Sequence, residues 1–201
     1  MPDLSIERTY SGRVAGVDEV GRGPWAGPVV AAAVVLRTEM LPDGINDSKK
    51  LSPQKRAYFY DILMSIADIG IGHSTVEEID ALNILQATKL AMERAIAALP
   101  YMPDAILVDG NQAFNASCTV QPIVKGDSIS LSIASASIIA KVTRDNYMAE
   151  LAKQFPHYGW EKNVGYGTKL HQEGMVSHGI TLHHRRSFKP VLQYARVCET
   201  A

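Results

Sequence analysis

The sequence predicts an α/β or α+β domain. Three observations predict it. Apolar runs of strand length recur along the chain, stretches with helical apolar spacing fall between them, and Gly, Pro and Ser punctuate the joins. The chain has 201 residues, which bounds it at one domain, or one domain with a short appendage. Hydrophobic residues make up 46% and charged residues 20%, values of an ordinary folded chain that exclude a disordered or fibrous one.

In chain order, Val14 to Val17 reads as a short strand ending in Asp18-Glu19. Gly27-Pro28 opens the β-branched run Val29 to Leu36, suited to a buried strand. Ser52-Pro53 starts a helix, with Ser as N-cap and Pro at the first helical position, and Tyr58, Phe59, Ile62, Leu63 and Ile66 follow at helical spacing. Asp68 to Thr75 is a third strand. Ile84 to Leu99 carries Leu85, Thr88, Ala91, Met92, Ala95 and Ile96 on one stripe, a helix that Pro100 and Pro103 end. Ala105 to Val108 runs into Asp109-Gly110, and Thr119 to Val124 into Lys125-Gly126-Asp127. A long helix is expected from about Ser130 to Gln154, stopped by Pro156.

The eight apolar residues Val29 to Leu36 form the longest such stretch, far short of the roughly 18 that a membrane span needs. The first residues lack the basic-then-apolar order of a signal peptide. Cys118 and Cys198 show neither CxxC nor close Cys/His spacing, so reduced thiols, a cytoplasmic location and no zinc site are expected. Net charge is −1, but it is unevenly spread: residues 1–152 hold 13 Lys+Arg against 18 Asp+Glu, and residues 153–201 hold 7 against 3. The basic last quarter suits a phosphate backbone; ordinary surface variation is the plainer alternative.

Three apolar runs end in acid: Val17-Asp18-Glu19, Val108-Asp109 and Val124-Lys125-Gly126-Asp127. Sheet rims are where α/β folds place their sites. If these strands are neighbours, Asp18, Glu19, Asp109 and Asp127 converge, and their repulsion raises the cost of ionising them. A divalent cation resolves that conflict, and oxygen ligands suit Mg²⁺ or Mn²⁺ rather than zinc. Two such ions about 4 Å apart serve in-line phosphoryl chemistry. The alternative is that each acid caps a turn or helix, as Asp127 before the long helix would.

Gly21-Arg22-Gly23-Pro24-Trp25-Ala26 matches a dinucleotide fingerprint, but Pro24, Gly27 and Pro28 lead into a β-branched run where that motif needs a helix. The glycines instead suit close backbone approach or a tight hairpin connection. Lys49 and Lys50 form a candidate phosphate contact or a solvated loop. Tyr166, between Gly165 and Gly167, is placed to stack on a sugar or base, or to rim the core. His183-His184-Arg185-Arg186 is a candidate phosphate-binding cluster or a charged surface segment.

Taken together, these blocks resemble the type 2 ribonuclease H family. The matching segments are Gly16 to Pro24, Asn46 to Ser52, Val108 to Asn111, Val124 to Ser128, Ala136 to Asp145, Gly165 to Thr168 and His183 to Phe188, in family order over about residues 14–190. The resemblance implies a ribonuclease H-like fold, a central five-stranded mixed sheet flanked by helices with a helical C-terminal part. It implies one catalytic domain over 1–201, with residues 155–201 as a basic, substrate-binding appendage. It implies cleavage of RNA in RNA–DNA hybrids and incision 5′ to single ribonucleotides in duplex DNA, with Mg²⁺ or Mn²⁺ held by Asp18, Glu19, Asp109 and Asp127. Gly21, Arg22 and Gly23 fall on the loop that reads the ribose 2′-hydroxyl, and Tyr166 on the tyrosine that stacks on the neighbouring deoxyribose. Lys49, Lys50, Arg185 and Arg186 join them as expected substrate contacts. No clamp-binding tail of the QxxLxxFF type is seen, and a monomer is expected.

Overall fold

Five strands form one sheet in the order β3-β2-β1-β4-β5. They are β1 Val14–Val20, β2 Val29–Leu36, β3 Ala67–Ser74, β4 Ala105–Asp109 and β5 Thr119–Ile123. β1 runs antiparallel to β2 and parallel to β4, and β4 runs parallel to β5, so the sheet is mixed as expected. The helices are α1 Pro53–Ile66, α2 Val76–Leu82, α3 Ile84–Ala97, α4 Leu131–Gln154, α5 Trp160–Asn163, α6 Lys169–His178 and α7 Lys189–Cys198. The computed structural model describes residues 1–37, 41–111, 113, 114 and 116–198, the last four as backbone only. The thiol of Cys198 and the C-terminal residues 199–201 thus lie outside the described part.

The chain divides into two compact units. The first comprises Met1–Val20, Val30–His73 and Lys89–Val142; the second comprises Gly21–Val29, Ser74–Thr88 and Thr143–Ala201. In the first, α1 and the opening half of α4 cover one sheet face. Phe59 and Leu63 of α1 and Ala134, Ile138 and Ile139 of α4 pack with Ala32 and Val34 of β2. α3 covers β3 from the other side at very short range. A Cβ on Gly70 or Gly72 would collide with the α3 backbone at Ala95 or Ala91, which is why two glycines interrupt this strand.

In the second unit, Met148, Leu151, Tyr158, Trp160, Met175 and Val191 form a separate buried cluster. Tyr158 stacks on Trp160 at 4.9 Å between ring centroids. The long helix of 24 residues starts one residue later than expected, because Ser130 caps it: its hydroxyl accepts from the Ile133 amide at 3.2 Å.

Two elements differ from expectation. β1 continues through Glu19 to Val20, so Asp18 and Glu19 sit inside the strand rather than beyond it. α2 was not expected, although Thr75-x-x-Glu78 is a complete capping box: the Thr75 hydroxyl accepts from the Glu78 amide and the Glu78 carboxylate accepts from the Thr75 amide. Seven residues carry too little apolar periodicity to reveal such a helix.

Candidate active site

Register brings the first unit's acids together. Val17 of β1 lies opposite Val108 of β4, which sets Asp18 beside Asp109, and Asp109 pairs with Ile123 of β5, four residues before Asp127. Asp127 sits in a 3₁₀ turn, Gly126–Ser128, whose first amide donates to Asp109 Oδ1 at 2.7 Å. Asp18 is 5% exposed and Asp127 7%. Burial pushes the Asp18 carboxyl well above the usual range, and the charges of Glu19 and Asp109 push it further. Asp127 is raised by burial first and then by Asp109 and Asp47.

Local hydrogen bonds hold the group in place. The Glu19 amide donates to Asp18 Oδ1 at 2.7 Å. The Ser137 hydroxyl of α4 donates to the Asp18 carboxylate. It therefore accepts from Ser48, 2.8 Å away, and links Asp18 to the Asp47-Ser48-Lys49 turn. Burial works against the charge of Lys49, yet Asp18, Asp47, Asp127 and Asp109 together hold its ammonium above the ordinary lysine value. Lys50 donates to the Ser128 hydroxyl at 2.8 Å. Asp47 and Ser137 lay inside the matched sequence blocks, but nothing local marked them as partners of the acids.

The donor set fits a hard divalent cation: it is all oxygen, and its negative charges add to burial in raising the pKa of Asp18 and Asp127. Among the described residues no three Asp, Glu, His or Cys side chains enclose a ready-made metal cage. Successive strand residues face opposite ways, which sets Glu19 off from Asp18. An open carboxylate array of this kind suits Mg²⁺, which keeps several waters and takes few protein ligands together with substrate phosphates.

The second unit holds the other expected residues. The connection from Gly21 to Pro28 joins the antiparallel strands β1 and β2 and, at eight residues, is longer than a tight hairpin turn. Gly21 has φ +95°, and a Cβ there would collide with the Arg144 side chain. Arg22 and Gly23 are exposed. A Cβ on Gly23 would come 3.4 Å from Tyr166 Cε1, so the glycine lies against the tyrosine ring. Tyr166 is 49% exposed and is not a core-rim residue. Its turn is zipped to the loop by the Trp25 amide donating to the Gly165 carbonyl at 2.8 Å.

His183 to Arg186 is only partly a surface segment. His184 and Arg185 are 0% exposed. Arg185 donates to the carbonyls of Gly21, Arg22 and Gly27, which commits its guanidinium inside the protein and corrects the expectation of a phosphate contact. Arg186 is exposed, its amide held by Asp80 at 2.9 Å. His171 and His184 meet at 3.0 Å between Nε2 atoms. Trp160 donates to His171 Nε2, and the Thr181 amide donates to His184 Nδ1. The tautomers follow: His184 Nε2–H donates to His171, and His171 Nδ1–H donates to the Tyr166 carbonyl at 2.9 Å. Sequence reasoning missed His171 and the role of Arg144, because both are defined by partners distant in sequence.

A five-stranded mixed sheet with helices on both faces and acids on adjoining strands is the architecture of the ribonuclease H fold class. Residues 15–191 match the sequence profile of ribonuclease HII. The chain is 56% identical over 191 residues to ribonuclease HII of Wolbachia pipientis subsp. Culex pipiens, covering 94% of this chain and 97% of the relative. It is 56% identical over 196 residues to that of Ruegeria sp. strain TM1040, covering 94% and 85%. Ribonuclease H2 from Pyrococcus horikoshii superposes with a TM-score of 0.78 at 29% identity, over 94% of this chain and 100% of that one. The chain belongs to the ribonuclease HII family, hydrolytic endoribonucleases that act on RNA–DNA hybrids. Among the described residues no helix is long and apolar enough to cross a membrane.

Proposed function

We propose that this chain incises DNA duplexes 5′ to single embedded ribonucleotides, as well as cutting the RNA strand of hybrids, and leaves 5′-phosphate and 3′-hydroxyl ends. The observation that carries the reading is the exposed Gly23 lying against the ring of exposed Tyr166. A side-chain-free residue lets a sugar hydroxyl approach the backbone, and a neighbouring ring stacks best on a sugar without a hydroxyl. The two together favour ribose on one side of the scissile bond and deoxyribose on the other.

Asp18, Glu19, Asp109 and Asp127 would hold one or two divalent cations, Mg²⁺ or Mn²⁺, which when bound supply Lewis-acid stabilisation of phosphoryl charge and water activation. The protein's own contribution is position and field. Ser137 and the Glu19 amide orient the Asp18 carboxylate. The Gly126 amide orients Asp109. Lys49 stays charged beside the acids, which makes it a candidate donor to a phosphate oxygen. Lys50, anchored on Ser128, and exposed Arg22 and Arg186 are further candidates for backbone phosphates. We further propose that the chain acts as a cytoplasmic monomer.

The test is side-by-side kinetics on two duplexes of one sequence, one with a single ribonucleotide and one all DNA, with and without Mg²⁺. Incision at the ribonucleotide's 5′ side alone, lost on chelation, is expected, with product ends mapped by ligation. Equal cutting of both duplexes sinks the reading.

A further inference from the structure

Arg185 carries a fork of donors that ordinarily meets a carboxylate or a phosphate. Here the fork is filled by the backbone of one loop. Nε and one terminal nitrogen donate to the Gly27 carbonyl at 2.9 and 2.8 Å, the same terminal nitrogen donates to Gly21 at 2.5 Å, and the other donates to Arg22 at 2.9 Å. Arg144 repeats the arrangement, donating to the carbonyls of Pro28, Val164 and Ala26 at 2.9, 2.9 and 3.1 Å. Two fully buried guanidinium groups thus hold six carbonyls, five of them on the Gly21–Pro28 connection. Burial lowers the Arg185 pKa to about 9, with the Arg144 charge acting the same way, so keeping this cation inside has a cost that its hydrogen bonds must offset.

Among the described residues every peptide bond is trans. In a trans peptide the carbonyl of one residue and the amide of the next point in opposite directions. The Gly21 and Arg22 carbonyls are drawn toward Arg185. The amides of Arg22 and Gly23 therefore face away from it, on the stretch where both residues are exposed. Consecutive amides turned outward form a concave donor pair for an oxygen acceptor.

We infer that Arg185 is a positioning residue for sugar recognition: by holding the Gly21 and Arg22 carbonyls inward, it aims the Arg22 and Gly23 amides at the sugar oxygen that the loop reads. The inference rests on the reading of that loop proposed above. A lysine cannot reproduce it, because a single ammonium on a flexible stem does not span three carbonyls.

Arg185→Lys and Arg185→Gln test it, with folding checked by thermal melts. In either folded variant kcat on the one-ribonucleotide duplex falls at least tenfold, while Kd for the all-DNA duplex stays within twofold. A structural role alone would scale both with the folded fraction. The second readout is the Gly23 amide resonance in metal-free buffer. In the wild type it is shifted by the one-ribonucleotide duplex and not by the all-DNA one, and in the variants it no longer tells them apart. A folded variant that keeps this distinction, or keeps kcat within twofold, overturns the inference. So does failure of both variants to fold, which makes Arg185 a purely structural residue. If the wild-type Gly23 amide does not distinguish the two duplexes, the reading of the loop itself falls.

Discussion

Asp18 shows how a single side chain is made both costly and useful. Burial, Glu19 and Asp109 all oppose its ionisation, while Ser137 and the Glu19 amide favour it. Asp18→Asn keeps the size and removes the charge. Hydrolysis at saturating Mg²⁺ should fall by about a hundredfold or more, since removing one preorganised electrostatic group costs on that order. The melting temperature in metal-free buffer at pH 7 should rise, by about 2–4 °C for each kcal/mol of repulsion relieved. Near wild-type turnover removes Asp18 from the active group. His184 gives the acid-side counterpart. Burial, and next the charge of His171, lower its pKa from 6.5 to about 3. At pH values above 6.5 the folded and unfolded chains are both neutral there, and the full stability is present. As pH falls below 6.5 the unfolded chain takes up a proton that the folded chain refuses, so stability is lost down to about pH 3. Urea midpoints between pH 7 and 5 should therefore fall less steeply in His184→Gln than in the wild type. Equal slopes would show that this histidine is not buried neutral.

At the scale of elements, α4 links the acids to a distant cap. Glu7 Oε1 accepts from the Ser132 amide at 3.0 Å and from the hydroxyls of Ser130 and Ser132 at 2.6 and 2.7 Å. A carboxylate thus sits at the positive end of the helix that carries Ser137 to Asp18. Glu7→Ala should destabilise the protein by about 1–2 kcal/mol, the scale of a lost cap or charged hydrogen bond. Guanidinium unfolding measures it, and KM for hybrid should not move; an unchanged midpoint would show that Ser130 caps the helix unaided. The helix itself was legible from Leu131, Ala134, Ile138 and Val142. Its acidic cap was not, because residue 7 is adjacent only in space. α2 shows the reverse: its capping box was written in Thr75 and Glu78, but too few residues follow to give a period.

At the scale of the whole molecule, charge is the property most directly tied to a nucleic-acid partner. Residues 153–201 carry an excess of four positive charges while the net charge is −1. Duplex affinity should fall as salt rises, because phosphate contacts release counterions. Arg186→Ala should reduce the slope of log affinity against log salt by about 1 if its exposed side chain meets a phosphate. Fluorescence anisotropy at several salt concentrations measures this, and an unchanged slope assigns Arg186 to the surface alone.

The sequence by itself determined the five strands, the helices α1, α3 and α4, and the family, and it singled out the acids as candidates. Val29 to Leu36 and Ser52-Pro53 are local signals, and Asp18 and Asp109 follow apolar runs that form buried strands, whereas the run before Asp127 forms β5, of which only Ile123 is buried. Such signals are written within a few residues, where periodicity and capping chemistry operate. Only the tertiary structure decided what the charged and polar residues do. Arg185 and Arg186 are neighbours in sequence, yet one is buried against three carbonyls and the other is exposed. His171 and His184 are 13 residues apart and share a hydrogen bond. The physical reason is that an apolar run carries its own instruction to be buried, whereas a buried charge or imidazole is tolerated only where distant backbone supplies its partners, and that supply exists only once the chain has folded.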